Sequence, residues 1–308
     1  MKKAQVLSLL TILTLVLTMV TWLLHAYILD LSKPYTAVKH TAASSQTFYV
    51  DTVRVGVISR YPSNVIYKGY QPIMDYLTHS TDYYFELMIS NSYDQTIEQL
   101  NNGLVDAAFL GSYIYVRSRQ DYDITPILKP LNEDGTPLFQ SSLIARDDSP
   151  VKSISDLAGK KIALPSRFSY SSNWLDETTL NDYGLIRDDF AEVTYFQHHH
   201  TVVYEIMRSN YDAGSVKERI AREFEGSGIR ILARSAPVPG APLVISARSH
   251  PDVVQNITDA LLNINLSDPE VAGMVSRWDP EFAYGFTRAY PSDYDQLEPM
   301  IRTNQEPP

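Results

Sequence analysis

The sequence of 308 residues contains no cysteine, and this absence excludes several classes of protein. Disulfide scaffolds, thiol nucleophiles, cysteine-ligated zinc and lipid attachment through cysteine all need that residue. The absence of cysteine does not identify the cellular compartment, because an oxidising compartment permits disulfides without requiring them. Positive charge is also scarce, with 26 lysines and arginines against 36 acidic residues and a formal net charge of -10. We therefore expect no nucleic-acid partner, since a face that meets phosphates has to be basic.

The short motifs of several enzyme classes are also absent. The sequence has no glycine-rich dinucleotide or P-loop motif, no His-Glu-x-x-His metal motif and no Gly-x-Ser-x-Gly nucleophile motif. Its hydrophobic fraction of 44% with 20% charged residues is typical of a folded globular chain. We therefore expect a protein that is not an enzyme and has no cofactor.

A long uncharged run lies at the N-terminus. Lys2 and Lys3 precede it, and its most apolar part, Val6–Leu24, would span roughly 28 Å as a helix, close to the thickness of a hydrocarbon core. Bulky residues follow where a signal peptidase needs small ones. We expect residues 1–30 to be an uncleaved membrane anchor, with a cleaved signal as the alternative, and residues 31–50 to be a linker. The lysine pair predicts a single-pass protein of the inner membrane whose C-terminal domain faces the periplasm or outside.

From Thr52 onwards, strand-like and helix-like segments alternate. The runs Val53–Ile58 and Tyr84–Ile89 are typical strands, and each is followed by a helical stretch. Such alternation indicates parallel sheets in an α/β fold. A second series begins near residue 141 and returns near residue 243. We therefore expect two lobes, 51–140 plus 243–308 and 141–242, joined by two crossover hinge segments and binding a ligand between them.

Several segments, in their order and spacing, resemble a known family. These segments are Tyr70–Leu77, Asn102–Val116, Ser149–Ala163, Ser169–Ser172, His199–Val203, Tyr211–Gly214 and Tyr290–Asp295. Together they make residues 53–297 similar to the phosphate, phosphite and phosphonate periplasmic binding proteins of ABC transporters. The resemblance implies a two-lobed periplasmic-binding-protein fold, type II-like. It also implies that a small phosphorus oxyanion binds between the lobes and that an inner-membrane permease is the partner.

The segment Ser169–Ser172 is the first candidate for binding the anion. It follows a predicted strand and opens a helix predicted to end near Tyr183. A helix N-terminus offers free N–H groups and a positive dipole end, and the hydroxyls of Ser169, Ser171 and Ser172 add donors. Tyr170 departs from the family pattern, which has a small hydroxyl residue there. An ordinary helix cap is the alternative role of this segment.

His199 and Asp212 are the other candidates in the second lobe. His199 matches the histidine of the family, and we expect the anion to favour its charged form. Asp212 is expected to accept a hydrogen bond from a ligand amine or a protonated oxygen; capping a strand end is the equal alternative. The run His198–His200 also suggests a metal, but three consecutive residues cannot all face one ion. We therefore expect no metal site.

Three tyrosines are the candidates in the first lobe. Tyr61 follows the first strand, Tyr93 begins a helix, and Tyr115 lies in a segment that matches the family pattern. The chain has 21 tyrosines, so packing is the alternative role of each. A second function also stays open, because the usual lipid anchor of a binding protein needs a cysteine. A tethered sensory component could pass ligand occupancy to a signalling partner such as a sensor kinase.

Overall fold

The computed structural model describes residue 11 and residues 13–22 and 51–303. Residues 13–22 are helical. The predicted anchor and linker, residues 1–50, lie largely outside the described residues. Within those that are described, no helix combines the length and the hydropathy needed to cross a bilayer.

Strands and helices alternate along the chain from residue 52. The strands are β1 (Thr52–Val57), β2 (Tyr84–Ile89), β3 (Ala107–Phe109), β4 (Ile124–Pro130), β5 (Leu138–Phe139), β6 (Ser141–Arg146), β7 (Lys161–Leu164), β8 (Glu192–Tyr195), β9 (Ala213–Lys217), β10 (Ile229–Arg234), β11 (Val238–Pro239), β12 (Leu243–Ser246) and β13 (Phe286–Arg288). The helices are α1 (Ser63–Ser80), α2 (Tyr93–Asn101), α3 (Ser112–Ser118), α4 (Tyr170–Asn173), α5 (Glu177–Asn181), α6 (His199–Met207), α7 (Glu218–Phe224), α8 (Pro251–Leu262), α9 (Pro269–Val275) and α10 (Glu298–Thr303). Short 3-10 turns occur at Ile154–Leu157, Arg187–Asp189, Pro280–Phe282 and Pro291–Leu297.

The sheet of the first lobe has the order β13-β4-β12-β3-β1-β2. Strands β2, β1 and β3 run parallel, whereas β12 and β13 are antiparallel to their neighbours. Val53, Val55 and Val57 of β1 are buried on one face of the sheet, whereas Thr52 and Arg54, on the opposite face at the start of the strand, are exposed. Helix α1 covers this sheet with its buried apolar face, which includes Tyr70 and Ile73.

The sheet of the second lobe has the order β10-β6-β9-β7-β8. A glycine in its central strand allows helix α6 to pack closely. A Cβ atom added at Gly214 would lie 2.4 Å from the carbonyl oxygen of Ala163 and 2.8 Å from side-chain atoms of Val202 and Ile206. Because only glycine fits here, α6 lies near enough for its first turn to reach the carboxyl end of the sheet.

Two crossing segments connect the sheets. The chain passes from β4 through β5 to β6, and it returns from β10 through β11 to β12. Strands β5 and β11 pair antiparallel, with Phe139 opposite Val238. The prediction of a mixed α/β, two-lobed fold with two crossings is confirmed in architecture. The lobe boundaries at residues 140/141 and 242/243 fall between the two large sheets and stay a prediction.

The helix predicted to follow Ser171 is shorter than expected. The structure has two separate short helices, α4 and α5, instead of one helix reaching Tyr183. Trp174 ends α4 because its indole is buried and donates a hydrogen bond to the Ser215 hydroxyl, at 2.6 Å. Asp176 then caps the next helix by accepting the backbone N–H of Thr179.

Candidate functional site

A small cavity lies where loops from both lobes meet. Its volume is about 30 Å³, which is space for roughly two water molecules. It is lined by Ile58, Arg60, Tyr61, Tyr93, Gly111, Ser112, Phe139, Phe168, Ser169, Tyr170, Ser171, His199, Lys217 and Ala241. Most of these residues follow or end a strand of one of the two sheets. The cavity therefore occupies the position at the carboxyl ends of strands where α/β folds bind ligands.

Ser169 and Ser171 bring hydroxyl groups to the cavity. Ser169 precedes α4, and its Oγ accepts the backbone N–H of Ser171 at 3.2 Å. The Ser171 hydroxyl is fully buried and lies 2.7 Å from that of Ser141, on strand β6. The capping role that the sequence left open is therefore present, and it coexists with a position on the cavity wall.

His199 stands at the first turn of α6 and is buried. Its Nδ1 accepts the backbone N–H of Lys217 at 3.2 Å, so the proton of the neutral imidazole is on Nε2. That Nε2 lies 3.5 Å from the Ser169 hydroxyl. Burial lowers the pKa of His199 to about 3, and the nearby Lys217 and Arg60 charges lower it further. The imidazole in this structure is therefore a neutral donor, and the expectation that a bound anion favours its charged form stays a prediction.

Aromatic side chains from both lobes close the cavity. Tyr61 and Tyr93 come from the first lobe and are buried. The Tyr93 ring centroid lies 6.3 Å from that of Phe168, across the lobes. Tyr170, the departure from the family pattern, donates its hydroxyl to the carbonyl of Ala236 at 3.1 Å and packs edge-on against Phe139 of β5. Its bulk is thus placed against the crossing segments.

Three predicted site residues do not line the cavity. Tyr115 is buried in the first lobe with its ring 5.0 Å from that of Tyr294, because its face of α3 is covered by the C-terminal segment. The Ser172 hydroxyl donates to the carbonyls of Pro165 and Ser166. Asp212 precedes β9 and accepts the backbone N–H of Lys161 at 2.8 Å, about 15 Å along the strand from the cavity end. Packing and capping account for these positions.

Three charged residues beside the cavity were missing from the predicted site. Arg60 and Lys217 line it, and both are buried. The carboxylate of Glu281, from the 3-10 turn before β13, pairs with both: Arg60 Nη1 lies 2.8 Å from its Oε2, and Lys217 Nζ contacts its Oε1. The sequence offers one signal, since Lys217 ends a buried strand and Arg60 lies in the loop that follows another.

The balance of charge at this site is positive. Among the described residues that line the cavity, none is Asp or Glu, and the nearest carboxylate pair, Glu281 and Asp279, faces Arg60, Lys217 and Arg219. Burial raises the pKa of the Glu281 carboxyl, but Arg60 and Lys217 outweigh burial and hold it well below its usual range. Burial lowers the pKa of Lys217 to about 8, although Glu281 favours its charged form. Arg219 is also paired with Glu223, at 2.7 Å, so the excess positive charge is that of the cavity wall itself, which carries Arg60 and Lys217 and no carboxylate.

Further contacts join the lobes around the cavity. Arg219 of α7 donates to the Tyr61 hydroxyl at 2.7 Å and lies 3.5 Å from Asp279. His200 packs edge-on against Tyr61 and lies 3.4 Å from Glu223.

Within the described part of the chain, no group of three or more His, Asp or Glu side chains is placed to hold a metal ion.

Comparison with known proteins agrees with this architecture. The sequence profile described as "ABC transporter, phosphonate, periplasmic substrate-binding protein" matches residues 55–294. The chain is 23% identical over 269 residues to the phosphate-import protein PhnD of Mycolicibacterium smegmatis, covering 80% of this chain and 84% of that protein.

Two solved structures share the fold. PhnD1 from Prochlorococcus marinus, in complex with methylphosphonate, has a TM-score of 0.71 at 15% identity and covers 82% of this chain and 97% of its own. A binding protein component of an ABC phosphonate transporter from Pseudomonas aeruginosa also has a TM-score of 0.71 at 15% identity, covering 81% and 85%. The match of the family profile to most of the chain confirms the predicted resemblance. The chain belongs to the family of periplasmic substrate-binding proteins of phosphonate ABC transporters.

Proposed function

We propose that the protein captures a small phosphorus oxyanion, a phosphonate, phosphite or phosphate, in the cavity between its lobes for delivery to a permease. The charge balance of the site carries the proposal. Two buried cations, the Nε2–H of His199 and the Ser169 and Ser171 hydroxyls converge there, and no carboxylate lines the wall. A protein of net charge -10 can hold an anion only where local donors and cations outweigh the overall field.

The proposal is tested by calorimetric titration of the protein with methylphosphonate, phosphite, phosphate and sulfate. We expect saturable binding of at least one phosphorus oxyanion. The double variant S169A/S171A should bind about thirtyfold to a thousandfold more weakly, because each of the two lost donors to an anion costs about 1–2 kcal/mol. The variant S172A is the matched control, since the Ser172 hydroxyl bonds only to backbone carbonyls of its own loop. The absence of binding by every oxyanion would refute the proposal.

The charges on the cavity wall also indicate which substituent the ligand carries on its phosphorus. An ammonium group placed beside the phosphorus would face Arg60 and Lys217 without a carboxylate on the cavity wall. We therefore expect methylphosphonate to bind more tightly than 2-aminoethylphosphonate in the same titrations. The roles of Tyr61, Tyr93 and Tyr170 as ligand contacts are part of the proposal, supported by their places on the wall.

A periplasmic location follows from the family, and a membrane tether is the further part of the proposal. The uncharged run of residues 4–29 supports a single-pass anchor. Mass spectrometry of protein from a membrane fraction tests it. We expect the mass of the uncleaved chain and retention in membranes after an alkaline carbonate wash. A mass lacking an N-terminal segment, found in a soluble fraction, would instead show a cleaved signal. Delivery to a transporter is preferred over sensing because the matched relatives are transport proteins.

A further inference from the structure

Glu281 occupies a place between two spaces of different character. On one side, Arg60 and Lys217 separate it from the small cavity, which it does not line itself. On the other side it lines an open groove of about 700 Å³, between residues 130–140 of the crossing and the first turn of α7. Lys217 lines both spaces. The Glu281 side chain thus has room behind it, on the side away from the cavity.

The two cations are held by this one carboxylate. Arg60 is 5% exposed and Lys217 9%, so bulk water solvates neither charge well and each needs a counter-ion. Arg60 also donates to the hydroxyl of Tyr70, and none of the described residues accepts a hydrogen bond from its Nε–H. A buried guanidinium on the wall of a cavity, with one donor still unused, is able to take a second anion.

We propose that Glu281 is an internal counter-ion of the ligand site, and that the ligand's anionic group takes over Arg60 and Lys217 from it. This inference rests on the proposed function. The cavity of about 30 Å³ is smaller than a phosphorus oxyanion with its oxygens, so binding requires that a neighbouring side chain moves or that the lobes separate. Glu281, with the groove behind it, is the group that can move. Its competition for the cations weakens anion binding, because two buried cations without a counter-ion would attract the ligand more strongly.

The exchange also transfers a link between the lobes. Glu281 belongs to the first lobe and Lys217 to the second, so their ion pair crosses the cleft. An anion that contacts Lys217, His199 and Arg60 together spans the same two lobes. In the bound protein the ligand anion would therefore replace the Glu281 carboxylate as the group that links Lys217 of the second lobe to the first lobe.

The test compares Glu281→Gln with the wild type by titration with methylphosphonate and phosphate. We expect E281Q to bind at least about tenfold more tightly, because the competing charge is gone while the side chain keeps its size. E133Q removes the same charge from another residue of the groove and should change affinity less than about twofold, since Glu133 is exposed and contacts neither cation. K217M should bind at least about tenfold more weakly.

Each outcome decides between the inference and the function on which it rests. If no phosphorus oxyanion binds the wild type or E281Q, the proposed function fails. If the wild type binds but E281Q binds equally or more weakly, the inference is overturned and the proposed function stands. Should E281Q not fold, Glu281→Asp gives a second test. Its shorter carboxylate reaches the cations less well, and it is also expected to bind the anion more tightly than the wild type.

Discussion

Protonation of His199 is expected to remove about 3 kcal/mol from the free energy of unfolding between pH 7 and pH 4. Burial, with the Lys217 and Arg60 charges, lowers its pKa to about 3 in the folded protein. The unfolded chain has the ordinary value of about 6.5, so between these two values only the unfolded state binds the proton. The contribution is therefore complete above pH 6.5 and is lost as the pH falls towards 3.

Urea unfolding at pH 7, 6, 5 and 4 measures this effect in the wild type and in His199→Asn. The asparagine amide oxygen can still accept the backbone N–H of Lys217, but it has no proton to gain, so the stability of H199N should fall less steeply. Glu281 is also acid-sensitive: its folded pKa lies below the ordinary value of about 4.3, so its contribution begins to be lost below about pH 5. This loss is expected equally in the wild type and in H199N, so it cancels when the two profiles are compared. His250 is the matched control, because its exposed imidazole accepts a backbone N–H in the same way, at 3.3 Å from Asp252. Parallel profiles for H199N and the wild type would contradict the prediction.

The strands were the part of the fold that could be predicted most closely. Segments such as Lys161–Leu164 are short apolar or β-branched runs between turn residues, and this signal is local. The helix after Ser171 was predicted too long. Its end depends on Trp174, whose indole binds Ser215, 41 residues away. A contact of that kind is set by tertiary packing, which the local pattern does not contain.

The site residues that follow strands could also be predicted from local sequence patterns, whereas those placed by tertiary packing could not. Ser169, His199 and Tyr61 follow predicted strands, and the carboxyl ends of strands in the two sheets face the same cleft. Tyr115 was expected there too, but its place depends on which segment covers its face of α3, and Tyr294 does so. The Lys217–Glu281 pair joins residues 64 positions apart. No sequence spacing rule links the two residues, so the charge at the cavity could not be predicted before the three-dimensional structure was known.

The second large effect is expected from Glu281→Gln in the protein without ligand, which should lose about 3 kcal/mol of unfolding free energy. Removing the carboxylate leaves the Arg60 guanidinium and the Lys217 ammonium close together, buried and without their shared counter-ion. The exposed pair Arg54–Glu86 is the matched control, since both side chains are about half exposed. E86Q removes the same charge and should cost less than about 1 kcal/mol.

Measured by urea unfolding at pH 7, the loss in E281Q should be partly reversed by a second change. In K217M/E281Q one of the two cations is gone as well, so the double variant should be more stable than the sum of the single changes indicates. Ligand should act in the same direction: methylphosphonate at about 100 times its Kd stabilises a folded protein by about 2.7 kcal/mol. Because E281Q is expected to bind more tightly, a given methylphosphonate concentration should stabilise it more than the wild type. An E281Q protein as stable as E86Q would show that water in the groove, and not Glu281, balances the two cations.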